Sequence, residues 1–595
     1  MDDPSAEYQR RRTIAETAEH LLERRFRLLG NLRLLLAIGT LFILWIALSQ
    51  HLVSPWLALL PVVAFVLVAI WHQLIIRRRN AARRAAAYYK EGLERLRDNW
   101  SGSGATGENF RQPDHVFADD LDVFGRASLF QFVSRARTAF GERTLAEWLL
   151  DPAPVDVVLA RHEAVRELTS ALDLREDIAL LGETVGTSVH AASLAEWANA
   201  PAISLPRIVR PLGLALAVLN IAGLFAFFRY GIPLFPFLIF FLCNVGLIFA
   251  TRHAVGRILG SIETPAHDLD ILALLVERLE RESFAAPRLR QLHRDLQTEG
   301  LPASRRIARL RRLIELLDSS DHVIVRVINP LILFKQQVAV SVESWRRANG
   351  QHVARWLAAT AELEALSSLA CLAYERPSWS FPTLLDQPAA RFAAEGLAHP
   401  LIPQSRAVPN DVSLGGTTLL LIVSGSNMSG KSTLLRSIGL NALLAWAGAP
   451  VCAKSLTLSP IRLGASIRVT DSLQDNRSRF FAEITRLRNV VDLTKTGPPV
   501  LFLLDELLSG TNSHDRKVGA AAVVRGLIRD GAFGLITTHD LALAEIADEL
   551  SGRALNVHFE DRIAGDQIEF DYRLRPGIVT HSNALALMRA VGLEI

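Results

Sequence analysis

Gly425-Ser426-Asn427-Met428-Ser429-Gly430-Lys431-Ser432-Thr433 follows the apolar stretch Thr418 to Val423 and precedes a helical pattern from Leu434 to Ala447. A strand, a glycine-rich turn and a helix in that order make a phosphate loop. Backbone N–H groups and the positive end of the helix cradle phosphate oxygens, Lys431 brings charge to the β and γ phosphates, and Ser432 reaches a magnesium ion. Gly425, Asn427, Met428, Ser429, Gly430, Lys431, Ser432 and Thr433 are thus the expected nucleotide-binding residues. The bland alternative is a glycine-rich turn with an incidental lysine, and the flanking strand and helix speak against it.

Downstream, Val500-Leu501-Phe502-Leu503-Leu504 reads as a buried strand ending in Asp505-Glu506. Hydrolysis needs a held cation and an oriented water, so Asp505 joins Ser432 as an expected metal ligand and Glu506 is expected to polarise the water. A third strand, Phe533 to Thr538, delivers His539 to the same sheet edge, where it can sense the γ phosphate. A lone histidine is more often structural; strand-end placement beside a phosphate loop and an acidic pair favours a functional one. The expected catalytic set is Glu506, His539 and Lys431, with ATP and Mg²⁺ as cofactors.

These motifs resemble the ATPase domain of the MutS DNA mismatch-repair family, within the ABC-type ATPases. The Asn427-Met428 pair and the string Asp505-Glu506-Leu507-Leu508-Ser509-Gly510-Thr511-Asn512 carry the resemblance. His399-Pro400, Val408-Pro409-Asn410-Asp411, Asn556-Val557-His558 and Phe570-Asp571-Tyr572 extend it over about 375 to 595. The resemblance implies that Ser478 crosses a homodimer interface toward the partner's nucleotide, with Glu483 following at the matching spacing. Arg479 stands where the family commonly has threonine, either as a positive group beside the phosphates or as a surface contact. For adenine, Trp379 or Phe381 offers a large π face. The family's usual aromatic aligns with Leu384, which leaves an apolar contact as the alternative.

A second feature lies far from these motifs. Residues Leu34 to Ile76 contain no charged side chain and are long enough for two membrane helices joined by a turn near His51 to Pro55. Pro211 to Phe228 and Tyr230 to Thr251 form a second uncharged pair, with Arg229 snorkelling between them or marking their loop. Four crossings are expected. Arg24, Arg25, Arg27, Arg33 and Arg77, Arg78, Arg79 flank the first pair, and Arg207, Arg210, Arg252 and Arg257 flank the second. Both soluble regions should therefore face the cytoplasm. The first apolar run lies well inside the chain without a small-residue cleavage site, so signal cleavage is not expected. Buried helical hairpins in a soluble core are the competing reading.

A chain half apolar and 21% charged suits a large, mostly helical membrane protein. The net charge of +4 permits nucleic-acid binding without arguing for it. Cys243, Cys371 and Cys452 form no metal-ligand spacing and fit a reducing compartment. Between the apolar pairs, Asp120-Leu121-Asp122-Val123-Phe124-Gly125 leads into amphipathic helices through Leu145 to Leu150. About 115 to 200, including Arg161, Val165 and Leu168, resembles the helical core of the same family. Asp268 to Leu317 carries Arg288, Arg290, Arg294, Arg305, Arg306, Arg309, Arg311 and Arg312, which either neutralise a nucleic-acid backbone or line solvated helix faces. From Asn329 through Leu369 a helical run returns to the ATPase region, like the family's lever.

Met1 to Leu32 is too short for the family's mismatch-reading domain, so that reader is expected to be absent and the DNA clamp reduced. The expected fold is an α/β C-terminal P-loop ATPase domain of MutS/ABC type, joined to a mostly α-helical core with four transmembrane helices. Its expected parts are a cytoplasmic segment 1–33, a transmembrane pair 34–76, a helical core 77–210, a second pair 211–251, a lever 252–374 and the ATPase domain 375–595. The expected function is ATP hydrolysis coupled to binding of DNA, with mismatched or structured DNA among the candidates. A membrane structural or signalling switch acting on an unidentified protein partner is the first alternative. ATP-driven transport is the second, and the few ionisable groups in the spans argue against it.

Overall fold

The computed structural model describes residues 3–579 except 51–53, 186–190, 207, 299, 320–328, 388, 427, 469–478, 509–510, 540, 551 and 565–566. It forms two units, one of residues 1–104 with 172–180, the other of 105–171 with 181–595.

The first unit is built on two long helices, Pro4–Trp45 and Leu59–Leu96. Asp3 starts the first by accepting from the Ser5 N–H, with Pro4 at the first helical position, where its missing donor costs nothing. The two pack through Tyr8 and Tyr89, whose rings lie 5.5 Å apart. Gly92 makes room: a Cβ there would fall 2.6 Å from the Tyr8 ring. Arg11 ties this end to the 172–180 segment by donating to Asp173 at 2.6 Å. Further along, Leu34, Leu41, Trp45, Leu60, Leu67 and Trp71 face outward and exposed. So continuous an apolar exterior is stable only where something other than water covers it.

In the second unit the helices Val209–Tyr230 and Phe235–Gly260 form a hairpin that turns at Gly231, in the left-handed region at φ +67°. Arg229 therefore lies in the last turn of its helix rather than in the connection. Among the described residues five helices, not four, are long and apolar enough to cross a membrane: these two, the two long helices of the first unit, and Phe334–Glu375. The fifth differs physically. Its most apolar window is 83% buried within the protein, against 6 to 22% for the others, because Trp356, Leu363, Leu366 and Leu369 pack against neighbouring helices. A hairpin of β1 (Gln297–Thr298) and β2 (Leu301–Pro302) interrupts this largely helical core.

Beyond it the chain becomes α/β. β3 (Thr383–Leu384), β4 (Arg391–Leu397), β5 (Asn410–Gly415) and β7 (Ser455–Leu458) form a sheet of order β3-β7-β4-β5. A six-stranded sheet runs β12-β11-β6-β10-β9-β8, from β6 (Leu420–Ser424), β8 (Arg462–Ser466), β9 (Val500–Leu504), β10 (Phe533–Thr538), β11 (Ala554–Ala564) and β12 (Gln567–Pro576). Its β8, β9, β10, β6 and β11 are mutually parallel, and β12 closes the edge antiparallel. β6, β9 and β10 are buried along their whole length, as a parallel strand covered on both faces must be. Register sets Ser424 beside Thr538 and Leu504 beside Ile536. The residues that follow these strands are thus delivered to one edge, where ligands of open parallel sheets bind.

Candidate nucleotide site

The chain leaves β6 through Gly425 at φ +152°, where a Cβ would lie 2.8 Å from Ser429 Oγ and 3.1 Å from the Phe559 carbonyl oxygen. The loop turns through Met428, a left-handed and exposed residue, and enters the helix Lys431–Ala447 at Gly430, φ +104°. Only glycine reaches that conformation without strain. Ser432 and Thr433, in the first turn, are exposed to the cavity.

Lys431 is 5% exposed, and its Nζ donates to the carbonyl oxygens of Gly425 at 2.9 Å and Ser426 at 2.8 Å. Burial pushes its ammonium below the ordinary lysine range, while Glu506 and Asp505 pull the other way. The hydroxyls of Ser426 and Ser429 are buried without a hydrogen-bond partner. Buried hydroxyls left without a hydrogen-bond partner are costly. Asn427 and Ser478 lie outside the described residues.

Asp505 and Glu506 leave the end of β9, Glu506 with a left-handed φ of +46°. Thr537 of β10 fixes both: its hydroxyl donates to the Asp505 carboxylate and accepts the Glu506 N–H at 3.0 Å. Two residues on, left-handed Leu508 is held by its N–H donating to the buried Glu483 carboxylate. His539 stands half exposed at the end of β10 with Nδ1 3.6 Å from Glu506 Oε1, and its Nε2 meets Arg516 Nη1 at 3.5 Å. The structure therefore brings Lys431, Ser432, Asp505, Glu506 and His539 to the same sheet edge.

A cavity of about 690 Å³ opens there, lined on one side by Lys431, Ser432, Thr433, Asp505 and Glu506 and on the other by His399, Val408, Phe559 and Tyr572. The aromatic candidates from the sequence are elsewhere. Trp379 packs on Phe132, with ring centroids 6.0 Å apart, and Phe381 lies 5.2 Å from the His162 ring with Arg166 over its face. Neither they nor Leu384 lines the cavity. Tyr572 does, and its ring edges so near Gly430 that a Cβ there would meet Tyr572 Cδ1 at 3.2 Å.

Asn410 sets that tyrosine. Its side chain donates to the Tyr572 carbonyl oxygen at 3.0 Å and accepts the Leu574 N–H at 2.7 Å, bracketing the left-handed backbone of Tyr572. His399, also at the cavity, accepts the Leu401 N–H at 3.2 Å. Burial, with Arg436 nearby, holds its imidazole down at about 4.

Residues 421–594 match the family model for MutS domain V. This α/β stretch is a MutS-type ATPase domain, which supports nucleotide binding and hydrolysis. The DNA mismatch repair protein MutS of Solibacter usitatus (strain Ellin6076) is 34% identical over 278 residues, 44% of this chain and 31% of that protein. The chain thus spans about a third of the length of the relative it matches.

Proposed function

We propose that this chain is a membrane-anchored, MutS-like ATPase that binds and hydrolyses Mg-ATP and couples the nucleotide state to DNA binding. One observation carries the reading: a phosphate loop with buried, unpartnered serine hydroxyls faces two strand-end carboxylates across one cavity. Ser432 and Asp505 are the residues to hold magnesium, whose chemistry is to neutralise charge on the phosphate oxygens. Lys431 exchanges its two carbonyl contacts for phosphate oxygens. Glu506 orients a water on the γ phosphorus and takes its proton as the new P–O bond forms and the bond to the ADP oxygen breaks. His539, beside Glu506, senses the departing phosphate. Tyr572 supplies the apolar face for the base.

The exposed apolar faces of four helices support insertion as two hairpins, with the arginines at their ends keeping the helical core and the ATPase domain cytoplasmic. A homodimer closing through Ser478 is part of the same reading. For DNA, the support is the relative's repair role together with exposed Arg290, Arg294, Arg305, Arg309 and Arg312 on helices Pro287–Asp295 and Ala303–Ser319. A second reading, a nucleotide switch acting on a membrane partner, draws on the same stretch: Arg288 is bonded to Glu362 and Arg306 to Asn349, so neither is spare for phosphates.

Salt-titrated binding of the detergent-solubilised chain to matched, mismatched and branched duplexes, with and without Mg-ATP, separates the two. Nucleotide-dependent binding that weakens with salt supports the DNA reading. Absence of binding by a preparation that hydrolyses ATP leaves the membrane switch.

A further inference from the structure

The motif Asp120-Leu121-Asp122 reaches the nucleotide domain from the helical core and touches three parts of it. Leu121 is wholly buried against the phosphate-loop helix at Gly439, where a Cβ would fall 2.7 Å from Leu121 Cδ1. That glycine is the notch that admits Leu121, and Leu503 of β9 borders it, with its Cδ1 3.0 Å from the same Cβ position. Asp122, left-handed at φ +51°, accepts from Arg436 of that helix and from Arg468, each at 2.7 Å. Asp120, fully buried, accepts the N–H groups of Ile467 and Arg468 at 2.8 and 2.7 Å just past β8. Its other oxygen accepts from Arg486 at 2.8 Å, on the helix Arg479–Leu493. Upstream, the Val116 carbonyl accepts the Ala465 N–H at 2.9 Å, continuing the contact along β8.

We propose that Asp120-Leu121-Asp122 is a positioning plug through which the helical core holds the phosphate-loop helix in register with the strand ends that carry Asp505 and Glu506. None of the three lines the nucleotide cavity. They act on turnover through Arg436, Gly439 and the end of β8. A core contact serving stability alone has no need to join the phosphate-loop helix, β8 and a third helix through one short motif. Arg436 carries the effect into the site, since its charge is near enough to act on both Asp505 and His399. Asp122 and Arg436 meet in a partly buried pair, and removing the Asp122 charge leaves Arg436 without that carboxylate partner. Coupled contacts of this kind transmit a displacement between packed elements.

The inference rests on the ATPase reading, and two measurements keep them apart. In the full detergent-solubilised chain, Asp122→Asn is expected to lower kcat about tenfold with KM for ATP within about twofold, while Asp122→Glu recovers most of the loss. Amide hydrogen exchange, read without nucleotide, is expected to rise for Asp122→Asn and for Leu121→Ala across the helix Lys431–Ala447 more than elsewhere. Exchange that is unchanged there, or that rises equally throughout the second unit with a matching fall in thermal midpoint, overturns the plug. A wild-type chain with no ATP turnover defeats the ATPase reading, and the exchange result still decides the plug.

Discussion

The imidazole of His539 stands 3.6 Å from the carboxylate of Glu506, with Arg516 against its other ring nitrogen. The ring thus has a neighbour on each side at the end of β10. In the proposed reading, this place between an acid and a guanidinium lets it sense a group that enters beside Glu506. Changing His539→Ala is expected to reduce steady-state ATP turnover by about 10- to 100-fold while equilibrium nucleotide affinity stays within about threefold. A variant that loses affinity and keeps its turnover would assign the ring to binding instead.

Tyr572 carries a different expectation, because its ring lies against the phosphate loop and its backbone is fixed by Asn410. Loss of a base-stacking aromatic costs about 1–3 kcal/mol. Binding of a fluorescent adenine nucleotide should therefore weaken about 10-fold or more in Tyr572→Ala and be unchanged in Trp379→Phe. Equal affinities for Tyr572→Ala and wild type would remove Tyr572 from the base site.

Acid should weaken the fold through His399. Its folded-state value is depressed to about 4, below the 6.5 of an unfolded histidine, so the unfolded chain takes up the proton first. Stability present above pH 6.5 is lost as pH falls toward 4, about 2 kcal/mol between pH 7 and pH 5 from this residue. His162, held down to about 4 by burial, adds loss of the same sign. The thermal midpoint should fall less between pH 7 and pH 5 in His399→Asn than in wild type. A steeper fall in the variant would show that His399 is charged in the folded chain.

The membrane arrangement makes a chemical prediction. In a chain with Cys243, Cys371 and Cys452 replaced by serine, Ser54→Cys should react with a membrane-impermeant maleimide in intact cells. Ser405→Cys, exposed between β4 and β5, should react only after permeabilisation. Labelling of Ser405→Cys in intact cells, with Ser54→Cys reacting only after permeabilisation, would reverse the orientation derived from the arginine flanks.

Strand ends were the most readable part of the sequence, because a buried parallel strand must be apolar throughout and must release its first polar residue at the sheet edge. Asp505 after β9 follows from that alone, and His539 comes directly after the Thr537-Thr538 end of β10. The base side of the cavity was less legible. Tyr572 arrives through a clamp that joins β5 to β12 across 162 residues, and its left-handed backbone leaves no mark in the hydropathy pattern. Trp379 and Phe381 have suitable rings, but Phe132, His162 and Arg166 already occupy them. Phe334–Glu375, read from the sequence as a lever helix, also passes as a span on length and hydropathy, because those measures do not distinguish an apolar helix facing lipid from one enclosed by protein. Thr537 had no sequence signal at all, since its role depends on register between β9 and β10.

Hydrolysis of ATP by purified wild type and Glu506→Gln, followed in a single turnover with Mg²⁺ and with nucleotide binding measured in parallel, tests the central claim most directly. Turnover should fall about 100-fold or more in the variant while ATP remains bound. Equal hydrolysis by the two proteins would contradict the site assigned to Glu506.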